Sequence, residues 1–90
     1  MRYEYDENKS LSNKQKHGID FEKAKVLWSD DRLLEIKTSF SNEKRYINIG
    51  KIEKKFYTVV TTYRNDRIRI ISARRSRQKE IEIYESWRIW

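Results

Sequence analysis

The stretch KFYTVVTTYRNDRIRIISARR, residues 55–75, decides the fold. Over residues 55–64 the side chains alternate between two sets, Phe56, Thr58, Val60 and Thr62 against Tyr57, Val59, Thr61 and Tyr63. A period of two is a strand signature, and the absence of a purely polar set predicts a central strand covered on both faces. Arg64-Asn65-Asp66 is a short connection rich in turn-forming residues, so the next strand, residues 66–74, folds back antiparallel. In that strand Arg67 and Arg69 oppose Ile68 and Ile70, and Ile71 breaks the alternation. Either a bulge or a strand buried on both faces accounts for the break.

Working outward, RLLEIK (32–37) and KRYINIGK (44–51) share the period of two, with SFSNE (39–43) and KIEK (51–54) between strands. Short connections make sequential strands antiparallel neighbours, which predicts a four-stranded meander. Upstream, Tyr3 and Tyr5 alternate with Arg2 and Glu4 in a short strand-like pattern ending at Asp6. Asp6 suits the N-cap of a helix running to about Lys16, and Gly18 suits the left-handed residue that ends it, with Ile19 in hydrophobic contact beyond. That helix has little apolar content besides Leu11, which predicts a surface position. Asp20 caps a second short helix in which Phe21, Ala24, Leu27 and Trp28 recur at helical spacing, until Ser29-Asp30-Asp31 breaks it. From Ser76 the chain reads as a C-terminal helix with Ile83, Trp87 and Trp90 in one stripe. The expectation is an α+β domain: two N-terminal helices, a four-stranded antiparallel sheet with a possible short N-terminal strand, and a C-terminal helix.

Composition narrows the function. Ninety residues without proline or repeats predict a single domain over residues 1–90. Cysteine is absent and histidine occurs once, which leaves neither a thiolate nor a multi-histidine metal site, although carboxylate-bound magnesium stays open. No apolar run approaches a membrane span, and the opening MRYEYDENKS has charges where a signal peptide needs an apolar stretch, so a cytoplasmic location is expected. The net charge is +7, and residues 64–79 concentrate it: Arg64, Arg67, Arg69, Arg74, Arg75, Arg77 and Lys79 face Asp66 alone. Arginine's planar fork matches phosphate oxygens, so the segment points to a polyanion or an acidic protein partner, unless it is only a solvated strand and helix face.

The blocks NKQKHGIDFEKA (13–24), EKRYINIG (43–50), VVTTYR (59–64) and RIRIISARR (67–75), followed by Glu80 and Tyr84, resemble the BrnT toxins in order and spacing. The opening YEYDENKSLSN is also similar to that family's start. The resemblance implies a RelE-like fold and a ribonuclease of a bacterial type II toxin–antitoxin pair that restrains growth by reducing translation. It also implies a BrnA-like antitoxin, which folds onto the toxin and represses the shared operon through its own DNA-binding module. No cofactor is implied.

Cleaving RNA without a metal requires a base for the 2′-hydroxyl, in-line geometry, charge stabilisation at the phosphorane and an acid for the leaving oxygen. His17 is the one side chain of a type that exchanges protons near neutrality. Two readings of it stand: a proton carrier flanked by Lys14 and Lys16 on the phosphate backbone, or a cationic residue at a helix end. Arg64 and Arg74, each at a strand end, are expected to project toward a shared site and grip the scissile phosphate, or else to form ion pairs with Glu80 or Glu43. Glu43 is a candidate acid or base. Arg45, from the same block, joins Lys14, Lys16, Arg67, Arg69, Arg75 and Arg77 as RNA contacts, and Tyr46, Tyr57 and Tyr63 are candidates for base stacking. Trp87 and Trp90 are expected in the core or against the antitoxin. The competing class is a basic interaction domain that binds nucleic acid or an acidic protein without cutting. A helix-turn-helix signature for a DNA reader is absent.

Overall fold

The computed structural model describes residues 2–38 and 44–87. In chain order the elements are β1 (Arg2–Glu4), α1 (Glu7–His17), α2 (Phe21–Ala24) continued by a 3-10 turn (Lys25–Ser29), β2 (Leu34–Thr38), β3 (Arg45–Ile52), β4 (Lys55–Arg64), β5 (Arg67–Arg75) and α3 (Gln78–Trp87). The strands form one sheet of order β1-β5-β4-β3-β2. The meander from β2 to β5 is present, and β4 lies at the centre. The expected four-stranded antiparallel sheet is corrected in one respect. β1 adds to the outer edge of β5 in parallel register, with Tyr3 beside Ile68, which makes the sheet five-stranded and mixed. The partner and direction of a three-residue strand are set by how the chain crosses the sheet, which its own alternation does not encode.

The irregularity at Ile71 is a bulge. Val60 pairs with Ser72 and Thr61 with Ile70, leaving Ile71 as the extra residue of β5. The turn between β4 and β5 places Asn65 at φ 57°, a conformation asparagine tolerates well.

One face of the sheet is covered by α1, α2 and the 3-10 turn. Ile19, Phe21, Ala24 and Leu27 pack on Ile52, Val59, Ile70 and Ala73 in the main core. The caps form as the sequence indicates: Asp6 accepts from the backbone N–H groups of Asn8 and Lys9, and Asp20 accepts from that of Lys23. Gly18 sits at φ 75°, and its N–H closes on the Lys14 carbonyl at 2.9 Å. The second helix is shorter than expected, since α-geometry ends at Ala24 and the tighter turn carries Leu27 into the core.

α1 is held by polar side chains. Leu11 is exposed, whereas Ser10 and Asn13 are buried. The Ser10 hydroxyl accepts from the Phe21 N–H at 2.9 Å. Asn13 donates through Nδ2 to the carbonyls of Ile19 (2.8 Å) and Ala73 (2.7 Å) and accepts through Oδ1 from the Ala73 N–H (3.2 Å). β1 pairs with β5 only at residues 67–69, so the Asn13 amide takes the place of a strand neighbour farther along that edge. This satisfies backbone groups that would otherwise be buried without partners.

α3 lies on the opposite face. The expected stripe of Ile83, Trp87 and Trp90 is not the buried one. Tyr84 is buried and Trp87 is 60% exposed, while Trp90 lies outside the described residues. Glu80 and Tyr84, one helical turn apart, carry the attachment. The Tyr84 ring meets Phe56 edge-on at 5.5 Å, and its hydroxyl donates to Asp30 Oδ2 at 2.8 Å. Asp30 also accepts from the N–H groups of Arg32 and Lys51. Burial pushes the Asp30 carboxyl up, but these donors outweigh it and hold the carboxyl below its ordinary range.

Candidate nucleic-acid interface

The C-terminal turn of α1 presents Lys14, Lys16 and His17 to solvent. Asn13 fixes this turn against Ala73, near the end of β5, and Gly18 reverses the chain immediately afterwards. Beside it lies a cleft of about 650 Å³ whose walls include Lys14, Gly18, Asp20, Glu22, Lys23 and Tyr57. Arg75 is the register partner of Tyr57 across β4 and β5, and its guanidinium carbon lies 5.7 Å from the centre of the Tyr57 ring. An arginine over a tyrosine face is a flat, cationic surface on which an unpaired base and its phosphate both have partners. Asp20 already caps α2, so one carboxylate of the cleft is engaged with backbone.

Arg74 points to the other face and is engaged there. Its Nη1 and Nη2 donate to the two carboxylate oxygens of Glu80 at 2.8 and 2.7 Å. Glu80 also accepts from Thr58 Oγ1 at 3.0 Å and from the Arg77 N–H at 2.8 Å, and Ser76 and Thr58 share a hydroxyl–hydroxyl bond. The paired Arg74 guanidinium, with help from the Arg77 N–H and Thr58 against the cost of burial, holds the Glu80 carboxyl down at about 2. Glu80 in turn raises the pKa of Arg74, so both groups stay ionised across the physiological range. The ion-pair alternative for Arg74 is therefore the one realised, and it ties the end of β5 to the first turn of α3.

The expected shared site of Arg64 and Arg74 does not form. Arg64 pairs with Arg67 at one end of the β4–β5 hairpin, while Arg74 pairs with Thr58 toward the other. Six residues of β4 separate the two positions, which at ~3.3 Å per residue is about 20 Å. Alternation within strands had suggested where the side chains end, but only the register shows that these two ends are opposite. Arg67 and Arg69 lie near Arg64 and share Glu4, at 3.6 and 3.0 Å. Arg45 starts β3 at this same end. Arg77 is exposed at the start of α3, and Glu43 lies outside the described residues. The cations named from the sequence thus form two groups, one around the end of α1 and one at the Arg64 end of the sheet.

Among the aromatic candidates, Tyr57 lines the cleft with Lys14. Tyr46 and Tyr63 meet edge-on at 4.9 Å, and Tyr63 is 40% exposed with its hydroxyl bonded to Glu35. Burial, followed by the Glu35 carboxylate, pushes the Tyr63 hydroxyl up to about 12, so it remains a hydrogen-bond donor at neutral pH.

A family model described as the BrnT ribonuclease toxin of type II toxin–antitoxin systems matches residues 5–80. The chain belongs to the BrnT family. No curated protein matches it. The BrnT match runs from the end of β1 into the first turn of α3, and includes His17, Arg64, Arg74 and Glu80. Membership makes this BrnT chain a ribonuclease toxin whose setting includes an antitoxin partner and RNA as target. Among the described residues, no helix of this BrnT protein is long and apolar enough to cross a membrane.

Sequence reasoning missed two residues that hold the elements around the interface in place. Asn13 is one, because a buried asparagine on a polar helix has no periodic signature. Asp30 is the other, since a helix-breaking SDD triplet conceals a three-donor anchor between the 3-10 turn, β3 and α3.

Proposed function

We propose that this BrnT protein is a single-domain, RelE-like endoribonuclease that cleaves RNA without a metal in the cytoplasm and is neutralised by a BrnA-like antitoxin. The observation that supports this most is the grouping of Lys14, Lys16 and His17 at the fixed end of α1, beside the Tyr57–Arg75 pair. In this reading a base of the RNA stacks at Tyr57 and Arg75, while Lys14 and Lys16 hold the flanking phosphates. His17 then exchanges the proton of the reaction: the 2′-oxygen attacks phosphorus, its proton is removed, and the 5′-oxygen leaves with a proton. The products are a 2′,3′-cyclic phosphate and a free 5′-hydroxyl. Arg75 stabilises the charge that develops on the phosphorane oxygens.

Arg74 acts as a positioning residue in this reading, because its fork is committed to Glu80. That commitment also favours the competing reading of a non-catalytic RNA binder, since it removes one arginine from phosphate contact. Labelled RNA incubated with purified protein, with and without EDTA, separates the two. Cleavage that survives EDTA and leaves a cyclic phosphate supports the ribonuclease, while tight binding of intact RNA supports the binder. The operon-repressing role belongs to the assembly with the antitoxin and is tested by comparing operator binding of antitoxin alone and of the complex.

A further inference from the structure

The Arg64 end of the sheet carries charge that the cleft beside α1 does not use. Arg2 of β1 is the register partner of Arg67 of β5, and Arg67 is the register partner of Arg64 of β4. Partners in register project on the same face, so three arginines stand side by side across three adjacent strands, at ~4.8 Å per strand. Like charges directly opposite one another repel. Carboxylates relieve the repulsion only in part: Glu4 pairs with Arg67 and Arg69, whereas Arg2 and Arg64 have no ion-pair partner among the described residues. All three arginines of the row are exposed. With Glu4, Asn65 and Asp66 they line a second cleft, of about 490 Å³. α3 is attached at the opposite end of this face, through Thr58, Phe56 and Arg74, so its described contacts leave the row open.

We infer that Arg2, Arg64 and Arg67 form a separate phosphate-binding subsite for the RNA strand, on the opposite sheet face from the α1 cleft and at the other end of the β4–β5 hairpin. This rests on the ribonuclease reading for the identity of its ligand. Guanidinium forks suit phosphate oxygens, and a bound phosphodiester supplies a counter-charge for Arg2 and Arg64, which Glu4 does not pair. The row also depends on Arg2, which lies outside the span of the family match. The row lies on the α3 face and the α1 cleft on the other, so an RNA held at both places passes around the border of the sheet, which sets a minimum length for tight binding.

The test is binding of a fluorescent, non-cleavable 2′-O-methyl RNA of about 12 nucleotides, within the range of single-strand site sizes, across a salt series. Exchanging all three residues (Arg2→Gln, Arg64→Gln and Arg67→Gln) is expected to make the slope of log K against log salt shallower by about 2, at ~0.7 per phosphate contact. The corresponding lysine exchanges restore the slope, because they restore the charge. The thermal midpoint of the glutamine variant is expected to stay or rise, since repulsion is removed. If that variant fails to fold, Arg2→Gln and Arg64→Gln singly, which break no ion pair among the described residues, should each lower the slope by about 0.7. An unchanged slope in folded variants overturns the subsite while the wild-type protein still binds RNA. Failure of the wild-type protein to bind RNA at low salt overturns the ribonuclease reading as well. An oligoglutamate whose binding loses slope in the variant, while RNA binding keeps it, assigns the row to an acidic protein and overturns the proposal.

Discussion

Replacing Asn13 with alanine removes one amide and exposes the logic of the whole α1 attachment. The side chain bonds three buried main-chain groups, the Ile19 carbonyl and the Ala73 carbonyl and N–H, at 2.8, 2.7 and 3.2 Å. A buried polar group left without a partner costs ~1–3 kcal/mol. Water can reach some of the vacated space, so the expected total is about 3–5 kcal/mol. A domain of this size has a stability of roughly 5–13 kcal/mol, so the change consumes a large share of it. Urea unfolding followed by circular dichroism reads the effect directly. With a slope of ~1.5 kcal/mol per molar, the midpoint should fall by about 2–3 M. Asn13→Asp sharpens the test, because it keeps an acceptor for the Ala73 N–H but sets a carboxylate against two carbonyls. It should be at least as destabilising as alanine. A loss below about 1 kcal/mol for alanine would show that apolar contacts hold α1, contrary to the reasoning here.

Other consequences are equally direct. Glu80 is held at about 2 in the folded protein, below its ordinary 4.5, so its contribution to stability is complete above that ordinary value and disappears as pH falls through about 2. Allowing for partial solvent access, that contribution is about 1–2 kcal/mol, and Glu80→Gln should both lower stability at neutral pH and flatten its acid dependence, as read by urea midpoints between pH 6 and 2. Glu53 occupies φ 60° in the turn between β3 and β4, where asparagine is better tolerated, so Glu53→Asn should raise stability by ~0.5 kcal/mol despite the loss of its exposed pair with Lys23. A falling thermal midpoint would contradict that. Gly50 has Asp30 Oδ2, Leu27 Cδ1 and Leu33 Cδ1 each 3.1 Å from where a Cβ would stand, so Gly50→Ala should cost about 1–3 kcal/mol in chemical denaturation.

Much of the sheet was legible because its side chains carry the signal. Alternation in residues 55–75 identifies the central hairpin, and its break at Ile71 leaves a bulge or burial on both faces, between which the register decides for the bulge. The caps at Asp6, Gly18 and Asp20 were equally readable, because capping chemistry is local. The parallel pairing of β1 was not, since Tyr3 alternates the same way whichever neighbour it joins. The surface position of α1 was legible, but its mode of attachment was not: hydrophobic periodicity looks for leucines, and this helix docks through Ser10 and Asn13 while exposing Leu11. For the candidate interface, residue type names the cations, but the separation of Arg64 from Arg74 follows from strand register, which no short window contains. The commitment of Arg74 to Glu80 was visible only as one of two alternatives until both oxygens were seen engaged.

On the proposed reading, the α1 end is the reaction centre of a ribonuclease. The decisive measurement is cleavage of end-labelled RNA in EDTA by the wild-type protein and by His17→Gln, with the product ends identified and RNA binding measured in parallel. The wild-type protein is expected to yield 2′,3′-cyclic phosphate ends, and His17→Gln to lower the rate by at least about 100-fold with binding retained, the usual scale for losing an acid–base group. Wild-type rates from His17→Gln would remove His17 from the chemistry and the α1 end from the reaction centre.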